Sequence, residues 1–179
     1  MLSLPCTGRN LARAIVLLLA LALAPGASLA QGVQTGPSGQ PLPRFVSLKS
    51  SAVNVRRGPG KNYPVAWRFV RAGLPVEIIQ EFDTWRKIRD SDGAEGWIHQ
   101  SLLSGRRTAI VSPWTDGERF EAHAEPRAAS RVSAILESHV IADVVSCEAG
   151  WCNLRGDGYE GWLPQETLWG VYPNEKVSG

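Results

Sequence analysis

The chain has 179 residues, 44 % hydrophobic and 20 % charged, which is the composition of a globular protein. The length admits one ordinary domain or two very small ones, and three cysteines cannot build a disulfide-dense scaffold. The formal charge of +2 arises wholly in the first 30 residues: setting aside Arg9 and Arg13 leaves 17 basic against 17 acidic side chains.

Those first 30 residues read as a secretory signal. Arg9 and Arg13 form a positive start. Ala14 to Ala24 is an uncharged apolar run too short for a comfortable membrane span, and Ser28-Leu29-Ala30 offers small side chains to a peptidase. Cleavage after Ala30 would begin an exported, soluble chain at Gln31, with retention as an N-terminal anchor as the alternative. No cysteine follows the site to take a lipid. No further membrane-spanning segment is expected, and nucleic acid is not a partner suited to an exported protein.

Residues 31–44 are rich in Gly, Pro and Gln and have almost no apolar pattern, as expected of a flexible linker. From Phe45 the chain becomes short β-rich runs broken by Gly, Pro and Asp: FVSLK, AVNV, VAWRFV, PVEIIQ, TWRKIR and EGWIH. No apolar periodicity of helical length appears, so the fold class is all-β. The chain also repeats itself. DTWRKIRDSDGAEGWIHQSLL (83–103) matches AGWCNLRGDGYEGWLPQETL (149–168), with tryptophans at 85 and 97 in the first and at 151 and 162 in the second. A period of about 66 residues divides the chain into two copies, 45–107 and 108–173, followed by a C-terminal tail, 174–179. Each copy is too small for a two-sheet sandwich and should curl into a small barrel. Such small units should lean on one another or on something else.

The run NVRRGPGKNYPV (54–65), followed by TWRKIR and GWIHQSLLSGRR, resembles the bacterial SH3 domain family over nearly all of the first copy. The second copy resembles it more distantly: it keeps WCNLR, EGW and Leu168 but has Glu121-Ala122-His123 where the first has Asn54-Val55-Arg56. The resemblance implies two SH3-like β-barrels, usually non-catalytic, of a kind found in exported proteins and often attached to cell-wall hydrolases as targeting modules.

Candidate binding residues gather around the first copy's GPGK loop. Pro59-Gly60 suits the central positions of a type II turn, and the loop is not a phosphate loop because Val55 and Asn62 stand where that pattern needs Gly and Ser or Thr. Asn54 and Arg56 either contact ligand or hydrogen-bond the loop backbone. Tyr63 and Trp85 are amphipathic rings suited to stacking on sugar or peptide. Trp67, Trp97 and Trp162 read as packing residues, and Trp114 and Trp169 as fillers of a seam between copies. Cys147 and Cys152 bracket EAGW, and a four-residue hairpin loop there would set them opposite each other on adjacent strands as a disulfide. The histidines at 99, 123 and 139 have no metal spacing, so neither metal nor cofactor is expected. The tripeptide Arg155-Gly156-Asp157 reads as a hairpin turn rather than an adhesion signal.

Charge adds one observation. Residues 31–107 hold 12 basic and 6 acidic side chains, and residues 108–179 hold 5 and 11. Either the copies face each other through complementary surfaces, with Arg86, Lys87 and Arg89 among the docking groups, or the basic copy attracts an anionic partner such as wall polymer or lipid headgroups. The sequence thus predicts a non-catalytic, exported (periplasmic or secreted) protein whose first barrel binds cell-wall, peptidoglycan-type peptide or glycan. The alternative is an assembly module that contacts another envelope protein.

Overall fold

In the computed structural model the described residues are 2–3 and 34–178, so the expected signal segment and its cleavage site lie outside them. The alternation of apolar and polar residues becomes short antiparallel strands. They are β1 (Gln34–Thr35), β2 (Pro41–Leu42), β3 (Arg44–Leu48), β4 (Val53–Arg56), β5 (Val65–Phe69), β6 (Pro75–Phe82), β7 (Trp85–Arg89), β8 (Glu95–His99) and β9 (Leu103–Ser104), then β10 (Thr108–Val111), β11 (Arg119–His123), β12 (Val132–Glu137), β13 (Ile141–Glu148), β14 (Trp151–Gly156), β15 (Tyr159–Pro164) and β16 (Leu168–Trp169). A 3-10 turn precedes the last strand of each copy, at Gln100–Leu102 and Gln165–Thr167. No helix among the described residues is long and apolar enough to cross a membrane.

The two copies have one topology. The first sheet runs β5-β4-β8-β7-β6-β3-β9 and the second β12-β11-β15-β14-β13-β10-β16. Their irregularities coincide too: register slips at Val55/Arg56 and Ala122/His123, and again at Ile78/Gln80 and Val144/Ser146. These bulges bend each sheet around its own core. The first core gathers Leu48, Val53, Val55, Val76, Ile78, Ile88, Ile98 and Leu103, and the second is built around Val111, Leu136, Leu154, Leu163 and Leu168. In β4, Val53 and Val55 are fully buried while Asn54 between them is exposed. The two-residue strand period therefore sets the functional side chains on the outer face by placing their neighbours inside.

The Glu-Gly-Trp motif of both copies marks a strand crossing. A Cβ at Gly96 would strike Val55 and Trp67, and one at Gly161 would meet Ala122 and Ser133, so only glycine lets β8 and β15 approach β4 and β11. Trp97 and Trp162, next in line, are half-buried on the outer face. Trp67 packs inward on the first core with its ring edge-on to Phe69 at 6.1 Å.

Cores this small gain from mutual support. Phe45 packs against Trp169 (centroids 5.1 Å apart) and Tyr172 (4.7 Å). The Trp169 indole N–H donates to the Pro75 carbonyl at 3.3 Å, the Tyr172 hydroxyl to Glu77 at 3.0 Å, and the Thr108 hydroxyl to the Gly73 carbonyl at 2.7 Å. Two connector arginines add ion pairs, Arg106 to Asp143 and Arg107 to Glu175. Docking through Arg86, Lys87 and Arg89 is not what the structure shows: Arg86 pairs with Glu81, Lys87 with Glu95, and Arg89 with Glu95 and Glu77, all within the first barrel. Trp169 fills the seam as expected, but Trp114 is 57 % exposed on the loop between β10 and β11. That loop is longer than its first-copy counterpart and carries the ring away from the junction.

Both flanks are more ordered than their composition suggests. Within the expected linker, β1 and β2 form a small hairpin with Gln34 opposite Leu42. It is fastened by polar contacts, since Ser38 donates from its backbone N–H and hydroxyl to Glu81 at 2.8 and 2.7 Å. The expected tail is fastened likewise: Val177 exchanges backbone hydrogen bonds with Cys147, and Gln165 donates to the Glu175 carbonyl.

Candidate functional site

The outer face of the first barrel carries a shallow cleft of about 200 Å³, lined by Ala52, Asn54, Arg56, Lys61, Trp85, His99 and Leu102. Strand pairing assembles it. Trp85 lies opposite His99 on β7 and β8, their rings meeting edge-on at 5.4 Å, and Arg56 of β4 lies opposite Trp97 of β8. Of the four residues singled out in the sequence, Asn54, Arg56 and Trp85 come together in the lining, and Tyr63 does not. Lys61 and His99 complete the cleft and escaped sequence reasoning; the registers that would have placed them are set by the β8 crossing, which only the repeat's Glu-Gly-Trp hints at.

Arg56 serves the loop as well as the cleft. Its guanidinium donates to the Tyr63 carbonyl at 2.7 Å, spanning the loop that carries Lys61. The loop itself differs from expectation. Gly60 lacks the positive φ a type II turn at Pro59-Gly60 would need, and the chain instead turns over Gly60–Tyr63, with Tyr63 N–H donating to the Gly60 carbonyl. The glycines make room for a ring: a Cβ at Gly58 would enter the Tyr63 ring, and one at Gly60 would come within 3.2 Å of it. The second barrel makes the equivalent backbone bonds, Arg127 N–H to Glu125 and Ser130 N–H to Arg127, with no glycine at either position. Serine there has no ring to clear. Tyr63 is thus a 42 % exposed loop clamp beside the cleft.

The cleft's chemistry is that of a cationic, aromatic-floored surface. Among the described residues no carboxylate lies within 4 Å of the charged atoms of Arg56 or Lys61, and no three His, Cys, Asp or Glu side chains are grouped to hold a metal. His99 accepts from the Ser101 N–H and bonds its hydroxyl at 2.8 Å, a local contact that caps the 3-10 turn. The second barrel keeps Trp151 at the position of Trp85 and has replaced the rest: alignment of the copies puts Glu121 at Asn54, His123 at Arg56, Ala128 at Lys61 and Pro164 at His99. His123 keeps only the loop-bonding role, contacting the Ser130 carbonyl at 3.1 Å and packing edge-on against Trp151.

Behind the cleft, the β6–β7 hairpin is pinned by a buried carboxylate. Burial alone would raise the Glu81 pKa, but hydrogen bonds from Ser38 and Arg44 and the nearby Arg86 charge outweigh it and bring it to about 2. At the corresponding register of the second barrel, Cys147 and Cys152 face each other as a disulfide. The connecting turn is two residues rather than four, with Ala149 and Gly150 both at positive φ.

No curated protein sequence matches the chain. Solved structures that resemble it include NlpC2 of Trichomonas vaginalis (TM-score 0.32, 14 % identity, covering 76 % of this chain and 51 % of that one). NlpC1 of the same organism gives TM-score 0.32, 14 % identity and coverage of 82 % and 51 %. A NlpC/P60 family protein of Bacillus cereus gives 0.31, 11 %, 70 % and 55 %. The chain spans about half the length of these structures. The bacterial SH3 domain profile matches residues 49–105 and 117–170, one stretch in each barrel. With more than half of its residues so matched, and two barrels of one topology, the chain belongs to the bacterial SH3 domain family as a tandem pair.

Proposed function

We propose that this is a non-catalytic, exported binding protein whose first barrel recognises peptidoglycan-type peptide or glycan at the Asn54–Arg56–Lys61–Trp85–His99 cleft. The observation that carries the reading is the asymmetry between the barrels: one fold is kept twice, and Trp85 has its counterpart in Trp151, but the cations Arg56 and Lys61 and the ring of His99 line a cleft in the first barrel only. A volume of about 200 Å³ is below the roughly 300–1,000 Å³ that engulfs a small molecule. It suits one residue of an oligomer laid across the surface. Trp85 and His99 would supply ring contact, while Arg56 and Lys61 would orient a carboxylate. Family membership supports a wall ligand, and the local hydrogen bonding of His99 supports a binding rather than a chemical role.

The reading is tested by sedimenting the chain from Gln31 with purified wall sacculi. Wild-type protein should pellet with them, and Trp85→Ala should reduce the bound fraction about tenfold, the loss of one aromatic anchor. Equal pelleting of both, or none of either, would reject the cleft as a wall site; capture of an envelope protein through the same residues would favour the assembly reading.

A further inference from the structure

From Lys49 to Val76 the chain carries six cationic side chains and no acidic one. This stretch forms the β4–β5 hairpin, and β5 is the edge strand of its sheet. Strand alternation turns Trp67 and Phe69 toward the core and leaves Ala66, Arg68 and Val70 on the outer side, with Arg68 opposite Asn54. The exposed apolar side chains are not what a soluble polyanion would recognise: Val70 is 77 % exposed at one end of β5, and Val65 (45 %) and Tyr63 (42 %) lie at the other. Arg57, Lys61 and Arg68 stand among them, all exposed, and among the described residues none has a carboxylate within 4 Å.

From this face we infer a second docking surface, for an anionic lipid bilayer, along the outer edge of the β4–β5 hairpin. Cations meet headgroup phosphates while Val65, Val70 and the Tyr63 ring enter the interfacial layer, a combination in which charge supplies attraction and apolar contact supplies retention. The second barrel lacks the arrangement: Ile135 and Glu137 occupy the positions of Arg68 and Val70. The surface shares Lys61 with the cleft but rests on Arg57, Arg68, Val65 and Val70, which lie outside the lining.

The test uses the chain from Gln31, which contains the whole of both cores and omits the apolar N-terminal run. It should co-sediment with phosphatidylcholine vesicles containing about one-third phosphatidylglycerol and not with phosphatidylcholine alone. The Arg57→Glu/Arg68→Glu double variant should lower the partition coefficient by at least about tenfold, as expected for two reversed charges near such a surface. Val70→Ser should lower it several-fold without changing its salt dependence. All three residues are exposed and outside the cleft lining, so near-UV circular dichroism should be unaltered and sacculus binding retained. Absence of vesicle binding at low salt overturns the proposal. So does binding that is indifferent to Val70→Ser and equalled by soluble heparin, which would mark a general polyanion surface. Neither result bears on the cleft, whose own test is the Trp85→Ala comparison.

Discussion

Glu81 and Arg86 face each other across the β6–β7 hairpin at the register where Cys147 and Cys152 are joined across β13–β14. One barrel closes this point with a buried ion pair, reinforced by Arg44 at 2.7 Å and by Ser38, and the other with a covalent bond. The difference makes the two barrels sensitive to different conditions.

Acid should act on the first. The Glu81 pKa is about 2 in the folded chain against an ordinary 4.5, so its stabilisation, on the order of 3 kcal/mol, is complete above about pH 5 and is lost as pH falls toward 2. Thermal unfolding followed across that range should show a falling midpoint. Glu81→Gln should lower the midpoint at pH 7 and flatten its acid dependence. A variant as stable as the wild type at neutral pH would show that the carboxylate is not held as described.

Reductant should act on the second. The disulfide closes a loop of only a few residues, for which chain entropy gives about 2 kcal/mol. Cys147→Ser/Cys152→Ser should therefore shift the denaturant midpoint modestly, and reductant should shift the wild type equally while leaving the variant unmoved.

The seam predicts coupling. Trp169 and Tyr172 reach across to Phe45, Pro75 and Glu77, and replacing Trp169 by Ala should cost about 3 kcal/mol. More tellingly, it should split one calorimetric transition into two, since each barrel retains its own core. Burial and the Glu77 charge raise the Tyr172 pKa, so Tyr172→Phe, which removes that hydroxyl's bond, should remove one tyrosine ionisation displaced to higher pH from a spectrophotometric titration.

The GPGK loop offers a packing test. Gly58→Ala drives a methyl group into the Tyr63 ring, an overpacking cost of roughly 1–3 kcal/mol. Adding Tyr63→Ser should restore stability, because the second barrel tolerates Glu125 there opposite Ser130. A Gly58→Ala variant of full stability, or one not rescued by the serine, would mean that the glycine serves the backbone instead.

The repeat was legible because its markers have strict steric causes. Glu-Gly-Trp recurs where two strands must cross without a Cβ between them, and the cysteines announced their own hairpin. What stayed hidden depended on partners distant in sequence. Ser38 sits in a segment with no apolar pattern, yet Glu81, 43 residues on, holds it in place. Lys61 and His99 join the cleft only through the β4–β8 and β7–β8 registers. Of the first copy's excess cations, Arg106 and Arg107 meet second-copy carboxylates at Asp143 and Glu175, whereas Arg86, Lys87 and Arg89 are consumed within their own barrel, and only pair geometry reveals which.

The central claim, that the first barrel alone carries the binding cleft, is tested most directly by titrating the isotopically labelled chain from Gln31 with soluble muropeptides and following backbone amide shifts. Movement should be confined to residues 52–63, 85 and 99–102 and abolished in Arg56→Ala/Trp85→Ala, with residues 119–131 and 151 silent. Shifts centred on the second barrel, or unchanged shifts in the double variant, would contradict it.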